Sequence, residues 1–256
     1  MYIDTHAHIY EEEFQADREE VISRSREANV KYILLPDIDS ESRGRMLELE
    51  AAHPDMMFCL CGVHPTSIGE NFQEELKKVE KELGTHTYYG IGECGIDLYW
   101  DKTFYREQIK AFEHQIGIAK DMHFPLVVHS RDSIELILEI LQKHPTVQGI
   151  LHCFLGNTEQ AKRAIGEGFL LGIGGVVTFK NSQMAETVRE IGPSHLVLET
   201  DAPYLTPVPF RGKRNESSYL PLIAKKIAEI TGEEEKKIAE ITTQNAANLF
   251  NLQIKY

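Results

Sequence analysis

The segment Met1-Tyr-Ile-Asp-Thr-His-Ala-His8 is a short apolar run that ends in two histidines. The same arrangement recurs along the chain, where His64 follows Met57-Phe-Cys-Leu-Cys-Gly-Val63 and Glu93 follows Tyr88-Tyr-Gly-Ile-Gly92. Three more side chains that can bind metal stand after apolar runs, and these are His129, His152 and Asp201. Short buried strands that end in such side chains and lead into helices are typical of a (β/α) barrel with its site at the carboxyl ends of the strands.

Hydrophobic periodicity extends this pattern to eight apolar strands that alternate with helices. The predicted strands are residues 2–8, 32–35, 57–63, 88–93, 125–129, 148–152, 169–173 and 195–200, and the first predicted helix covers 11–28. Such alternation predicts parallel βαβ units. We therefore expect an α/β protein with one domain over residues 1–256, a (β/α)8 TIM barrel with its active site at the C-terminal ends of the strands.

Composition narrows the functional class and the compartment. The net charge of −13 argues against a protein that coats nucleic acid through a broad basic face, although bound cations can supply positive charge for a phosphate-bearing substrate. The four cysteines show no disulfide spacing, no basic leader opens the chain, and no apolar run approaches the roughly 18 residues that a bilayer requires. These features predict a cytoplasmic protein with no membrane partner, and they define no oligomeric state.

The histidines and carboxylates point to metal chemistry. His6 and His8 stand two residues apart, on one side of the predicted strand, so both imidazoles can reach one cation. An isolated pair of this kind is a weak signal, but two more strand-end histidines and two strand-end carboxylates accompany it. Imidazoles with carboxylates suit first-row divalent cations. Two cations bridged by one carboxylate would activate water toward a phosphoryl group.

Seven motifs follow one another along the chain: Thr5-His-Ala-His8, Gly62-Val-His-Pro65, Gly90-Ile-Gly-Glu-Cys-Gly-Ile-Asp97, His129-Ser-Arg131, His152-Cys-Phe154, Glu199-Thr-Asp-Ala-Pro-Tyr204 and Arg211-Gly-Lys-Arg-Asn215. Together they resemble the TatD-type metal-dependent deoxyribonucleases, which belong to the amidohydrolase superfamily of (β/α) barrels. Small departures at Leu155-Gly156 and Ser217-Ser218 remove no candidate ligand.

The resemblance implies two divalent cations per chain, drawn from Zn, Mn, Mg, Ni and Co. The first would be held by His6, His8, Glu93 and Asp201, and the second by Glu93, His129 and His152, with Glu93 bridging the pair. Asp201 would also orient or deprotonate the attacking water. His64 is not needed as a ligand, so we expect it to bind phosphate or protonate the leaving group, the alternative being a polar wall residue. The predicted catalytic residues are thus Asp201, Glu93 and His64.

Further side chains are predicted around the ligands. By strand alternation Asp4 lies on the side of His6 and His8, and Glu199 on the side of Asp201, so both are expected to accept N–H groups of ligating imidazoles; the alternative is a carboxylate satisfied by other neighbours. Basic residues in the loops on the same face are expected to bind substrate phosphates, the alternative being an ordinary solvated loop, and these are Arg131, Arg211, Lys213 and Arg214. Aromatic residues such as Tyr99 and Trp100 could stack bases or simply pack the loops.

The leading hypothesis is hydrolysis of DNA phosphodiester bonds by an exonuclease that prefers single strands, with DNA as a transient partner. The alternative is an ester or amide hydrolase of the amidohydrolase type, acting on an aminoacyl-tRNA or a small substrate. Many amide-cleaving relatives bridge their metals with a carboxylated lysine, whereas this chain has Glu93. A third hypothesis, a silent barrel that only binds a partner, predicts lost ligands, and no expected ligand is lost.

Overall fold

Residues 1–253, which the computed structural model describes, form a closed barrel of eight parallel strands surrounded by helices. The last three residues of the predicted domain, 254–256, lie outside the described residues. The strands are β1 (Tyr2–Asp4), β2 (Val30–Leu35), β3 (Met57–Cys59), β4 (Ile91–Asp97), β5 (Leu126–Arg131), β6 (Gly149–Leu151), β7 (Phe169–Ile173) and β8 (Leu196–Leu198).

The helices follow the strands in alternation and cover the outside of the barrel. They are α1 (Arg18–Glu27), α2 (Arg43–Ala52), α3 (Phe72–Leu83), α4 (Tyr105–Met122), α5 (Ile134–Leu141), α6 (Thr158–Gly166), α7 (Met184–Ile191), α8 (Leu220–Thr231) and α9 (Glu235–Leu249). Local signals fix their ends: Asn157 and Gln160 form a capping box at α6, and Gly232 adopts the left-handed conformation that ends α8. Among the described residues no helix combines the length and the apolar character that crossing a bilayer demands.

The strands pair in chain order, and two seams close the barrel. Regular pairing runs from β1 through β2 to β3, and from β4 through β5, β6 and β7 to β8. Between β3 and β4, Tyr89 N donates to Cys59 O at 3.0 Å, and Cys61 forms a parallel bridge with Ile91. Between β8 and β1, Thr5 N donates to Leu198 O at 3.0 Å, and Ala7 forms a parallel bridge with Ala202. The predicted barrel is therefore confirmed.

Several strand ends differ from the prediction. β1 and β3 stop at Asp4 and Cys59, because the chain beyond each makes only single bridges to its neighbour. β4 runs from Ile91 to Asp97, so Glu93 lies inside the strand rather than at its end. The predicted helix 11–28 is divided into a 3₁₀ turn, Glu12–Phe14, and α1.

An apolar floor closes the barrel interior at the amino-terminal ends of the strands. It consists of Ile3, Leu34, Leu60, Val127, Ile150 and Val197, packed against Ala246, Ala247 and Phe250 at the end of α9. Side chains alternate along a strand, so the residues two positions beyond Val127, Ile150 and Val197 also face the interior. Those residues are His129, His152 and Glu199, which places polar groups directly above the floor.

Candidate metal centre

The candidate site is a cleft of about 550 Å³ at the carboxyl ends of the strands. Its walls include His8, His64, Glu93, His129, His152 and Asp201. His6 is fully buried beneath them and contacts both Glu93 and Asp201. The structure thus brings all six predicted ligands together, and their role as ligands stays a prediction.

Glu93 lies at the centre of the cluster, and its two carboxylate oxygens face different nitrogens. Oε2 is 3.0 Å from His6 Nε2 and 3.5 Å from His8 Nε2. Oε1 is 2.8 Å from His129 Nδ1 and 3.1 Å from His152 Nε2. Burial alone would raise the pKa of Glu93, but the surrounding imidazoles outweigh it and hold the pKa well below its usual value. One ionised carboxylate therefore stands between two pairs of nitrogens.

Backbone hydrogen bonds across the seam between β8 and β1 set the position of Asp201. Asp201 N donates to His6 O at 2.9 Å, and His8 N donates to Ala202 O at 2.8 Å. As a result, Asp201 Oδ1 lies 3.8 Å from Nε2 of both histidines. Asp201 therefore joins the same side of Glu93 as His6 and His8.

Tyr10 determines which nitrogen of His8 faces the cluster, and the sequence did not single it out. The Tyr10 hydroxyl is fully buried, donates to Pro36 O at 2.6 Å, and lies 3.0 Å from His8 Nδ1. Because its one hydrogen is used, the hydroxyl oxygen accepts from Nδ1–H. Neutral His8 then presents the lone pair of Nε2 to Glu93 and Asp201.

Asp97 determines which nitrogen of His129 faces the cluster, and the sequence analysis did not predict this role either. Its Oδ2 atom is 2.9 Å from His129 Nε2. Burial would raise the pKa of Asp97, but hydrogen bonds from His129 and from the backbone of Trp100 and Tyr99 lower it to about 2. An ionised carboxylate at Nε2 leaves Nδ1 of His129 facing Glu93. Positions 93 and 97 lie on one side of β4, but the predicted strand ended at Glu93, so alternation alone did not reach Asp97.

Glu199 lies next to His152, as expected, but the predicted hydrogen bond from the imidazole is absent. Its Oε1 atom is 3.3 Å from His152 Nδ1, outside hydrogen-bond geometry, and accepts from Cys153 N at 2.6 Å. A Cβ at Gly172 would stand 2.1 Å from Glu199 Oε2. Only glycine therefore leaves room on β7 for this carboxylate beside His152.

Asp4 differs from the prediction, because its carboxylate touches no imidazole ring. It accepts from Thr200 N at 2.9 Å, from Thr200 Oγ1 at 2.6 Å and from His6 N at 3.3 Å. The alternation argument fails here because β1 ends at Asp4 and the chain leaves the strand geometry before His6. Asp4 therefore fixes the backbone at the seam between β8 and β1.

His64 lies as close to Glu93 as the predicted ligands do, at 3.3 Å from Nε2 to Oε1. Its Nδ1 atom accepts from Thr66 N at 3.2 Å. A backbone N–H can only donate, so the proton of the neutral ring is on Nε2. Burial lowers the pKa of His64, which favours this neutral form. The ring is thus set to donate a hydrogen bond into the cleft.

The basic residues have different surroundings. Arg131 lines the cleft. Arg211 lies 4.0 Å above the Phe179 ring and Lys213 lies 5.5 Å from the Phe210 ring, and within residues 1–253 neither has an ion-pair partner. Arg214 instead donates to Asp17 Oδ2 at 2.7 Å, which ties its loop to the start of α1. The guanidinium of Arg214 is therefore already paired, in contrast to the predicted phosphate contact.

The donors fit divalent cations. His6 Nε2 and His8 Nε2 are 3.1 Å apart and both face Glu93 Oε2. Donors around one tetrahedral ion with bonds of about 2.1 Å lie about 3.4 Å apart. The groups His6–His8–Glu93, His6–His152–Asp201 and His64–Glu93–His129 each offer donor atoms within 4.8 Å of one another. Facing nitrogen lone pairs repel each other unless a cation or a proton lies between them.

The fold and the site together define a barrel protein whose histidines and carboxylates could hold metal ions. Residues 3–251 match the family model described as TatD related DNase. The chain belongs to this family, which confirms the predicted resemblance, and it is a metal-dependent hydrolase.

Individual relatives agree with this placement over their full lengths. The chain is 40% identical over 256 residues to the uncharacterized metal-dependent hydrolase YabD of Bacillus subtilis (strain 168), covering 98% of this chain and 100% of that protein. It is 31% identical over 259 residues to the 3'-5' ssDNA/RNA exonuclease TatD of Pectobacterium parmentieri (strain WPP163), covering 97% and 99%. The crystal structure of YJJV, a TatD homologue from Escherichia coli K12, superposes with a TM-score of 0.90 at 26% identity, covering 98% of each chain.

Proposed function

We propose that this protein is an exonuclease that hydrolyses phosphodiester bonds of DNA and prefers single strands. One observation carries the proposal: the Glu93 carboxylate stands between two pairs of histidine nitrogens, at the wall of an open cleft. Such a carboxylate is suited to bridge two cations. When bound, the cations would polarise a phosphoryl oxygen and lower the pKa of the attacking water.

The residues of this chain would divide the remaining work. Asp201 would accept the proton of the attacking water on a carboxylate oxygen, since it lies beside His6 and His8 at the cleft wall. His64 would donate a hydrogen bond from its neutral Nε2–H group to a phosphate oxygen, whereas protonation of the leaving group would require the imidazolium form, which burial disfavours. Arg131 would hold a neighbouring phosphate of the same strand. The cytoplasmic location and the substrate-contact roles of Arg211 and Lys213 stay predictions from the sequence.

Protein stripped with a chelator and reloaded with Mn²⁺ or Zn²⁺ is expected to shorten end-labelled single-stranded DNA. Double-stranded DNA should be degraded more slowly, and the ester of an aminoacyl-tRNA should survive. The measurement is gel analysis of all three substrates with stripped and reloaded protein side by side. Cleavage of the ester with intact DNA would favour the ester or amide hydrolase. A metal-loaded protein that cleaves none of them would favour a silent barrel.

His64→Ala is expected to keep full metal content while kcat/KM for DNA falls about 10- to 100-fold, the size expected for losing one hydrogen bond to a charged group. The reason is that His64 Nε2 carries a proton and donates rather than coordinates. Metal analysis and kinetics on one preparation test this. Metal loss as large as in Glu93→Gln would instead identify His64 as a ligand, which its 3.3 Å distance from Glu93 would permit.

A further inference from the structure

Two aromatic rings at the mouth of the cleft are exposed to solvent, although large apolar side chains are usually buried. Trp100 is 69% exposed and Tyr99 is 53% exposed, and their rings meet edge to face at 5.0 Å. Both stand in the loop that follows β4, and Trp100 lines the same cleft as His129 and Asp201. If these rings served only to pack the loop, they would be covered.

Arg131 completes this group from the neighbouring strand. It ends β5, two residues after His129, and its backbone pairs in register with Asp97. Its guanidinium carbon is 4.0 Å from the centre of the Tyr99 ring and 5.4 Å from that of Trp100. Within residues 1–253 no carboxylate forms an ion pair with Arg131, so its N–H groups are free to meet a phosphate.

One carboxylate links these aromatic rings to the metal centre. Asp97 Oδ1 accepts from Tyr99 N at 2.9 Å and from Trp100 N at 3.1 Å, while Oδ2 contacts His129 Nε2 at 2.9 Å. Asp97 is itself buried. The backbone at the start of the aromatic loop and the orientation of His129 are therefore fixed by the same group, which ties the loop to the candidate metal centre.

We propose that Trp100, Tyr99 and Arg131 form a stacking platform for an unpaired nucleobase of the strand whose phosphodiester lies at Glu93. This inference rests on the proposed nuclease function. An exposed indole offers a flat face that any base can cover, and Arg131 can neutralise the adjacent phosphate. In a duplex both faces of an internal base are covered by its neighbours, so the platform would favour single strands and frayed ends without preferring a sequence.

The only tryptophan of the chain is Trp100, so its fluorescence reports directly on the platform. The metal-loaded protein is titrated with a single-stranded oligothymidylate that carries phosphorothioate linkages to slow hydrolysis. A second titration uses an oligomer of the same length and linkage with abasic sugars. Stacking predicts strong quenching by the first oligomer and little by the second. The first should also bind about 5- to 150-fold more tightly, the range that one stacked base provides.

Variants then test whether Trp100 causes the difference in affinity, which is measured by the fluorescence anisotropy of labelled oligomers. Trp100→Ala and Trp100→Leu should abolish the difference between the two oligomers, and Trp100→Phe should restore part of it. Tyr105→Ala is the matched control, because Tyr105 is 41% exposed on α4 but does not line the cleft. Equal quenching and equal affinity for both oligomers in the unaltered protein would overturn the platform. If the protein hydrolyses DNA but binds both oligomers equally, the platform is overturned and the nuclease function is not. If quenching depends on the bases but no DNA is hydrolysed, the platform is supported and the nuclease function is contradicted.

Discussion

Asp201→Asn is expected to lower DNA hydrolysis by roughly 100-fold or more, the scale of losing a positioned general base. Burial raises the pKa of Asp201 to about 6, although His152 and His8 oppose the shift. The carboxylate is therefore mostly ionised at neutral pH without metal, and a cation bound beside it would favour the ionised form further. Asn preserves the shape of the side chain but removes both the charge and the basicity.

Metal should be retained at least in part by this variant, because the four histidines and Glu93 remain. Metal analysis and single-turnover hydrolysis on the same preparation test the expectation. Asp132→Asn is a matched control, since Asp132 is exposed in the loop after β5. Hydrolysis at the unaltered rate with normal metal content would remove Asp201 from the mechanism. Complete metal loss would show that Asp201 is first of all a ligand.

Glu93→Gln is expected to lose the second cation and to be at least as inactive as Asp201→Asn. Each carboxylate oxygen of Glu93 faces a different pair of nitrogens. A glutamine can present an oxygen to only one pair, and its NH2 group then faces the other. One half of the centre would therefore lose its charge and its acceptor together.

Metal stoichiometry measured against added Zn²⁺ or Mn²⁺ distinguishes the outcomes for this variant. The expected result is one cation per chain where the unaltered protein binds two, with hydrolysis falling in parallel. Glu93→Asp keeps the negative charge on a shorter side chain and should recover part of the metal binding and part of the hydrolysis. Two cations bound as tightly as before would contradict the bridging role of Glu93.

The barrel and the cluster of candidate ligands could be predicted because both depend on local patterns in the sequence. Apolar runs that end in histidine or carboxylate mark the strands and the site at once, as at His129 and His152. Contacts that depend on the path of the chain beyond a strand could not be predicted from the sequence. The role of Tyr10 at His8 depends on the carbonyl of Pro36, which accepts the hydroxyl hydrogen and lies far from both residues in sequence. Arg214 binds Asp17, which lies 197 residues away in sequence.

Strand lengths show the same limit. The run 88–93 is apolar enough to predict a strand but gives no sign that pairing with β5 continues to Asp97. That continuation brings Asp97 to His129 and to the aromatic loop. At Asp4 the strand is shorter than predicted. Because β1 ends at Asp4, the alternation of side chains does not extend to His6 and His8, and the Asp4 carboxylate does not lie beside their rings.

The apolar floor formed with α9 makes the cleft a blind pocket. A polymer cannot be threaded through the barrel axis, so a strand has to enter and leave through the same mouth. A free end, or a strand bent sharply at one phosphate, meets this requirement more easily than the middle of a straight duplex. If the protein is the exonuclease proposed above, each freed nucleotide would also have to depart by that mouth, past the incoming strand, before the next phosphate could advance.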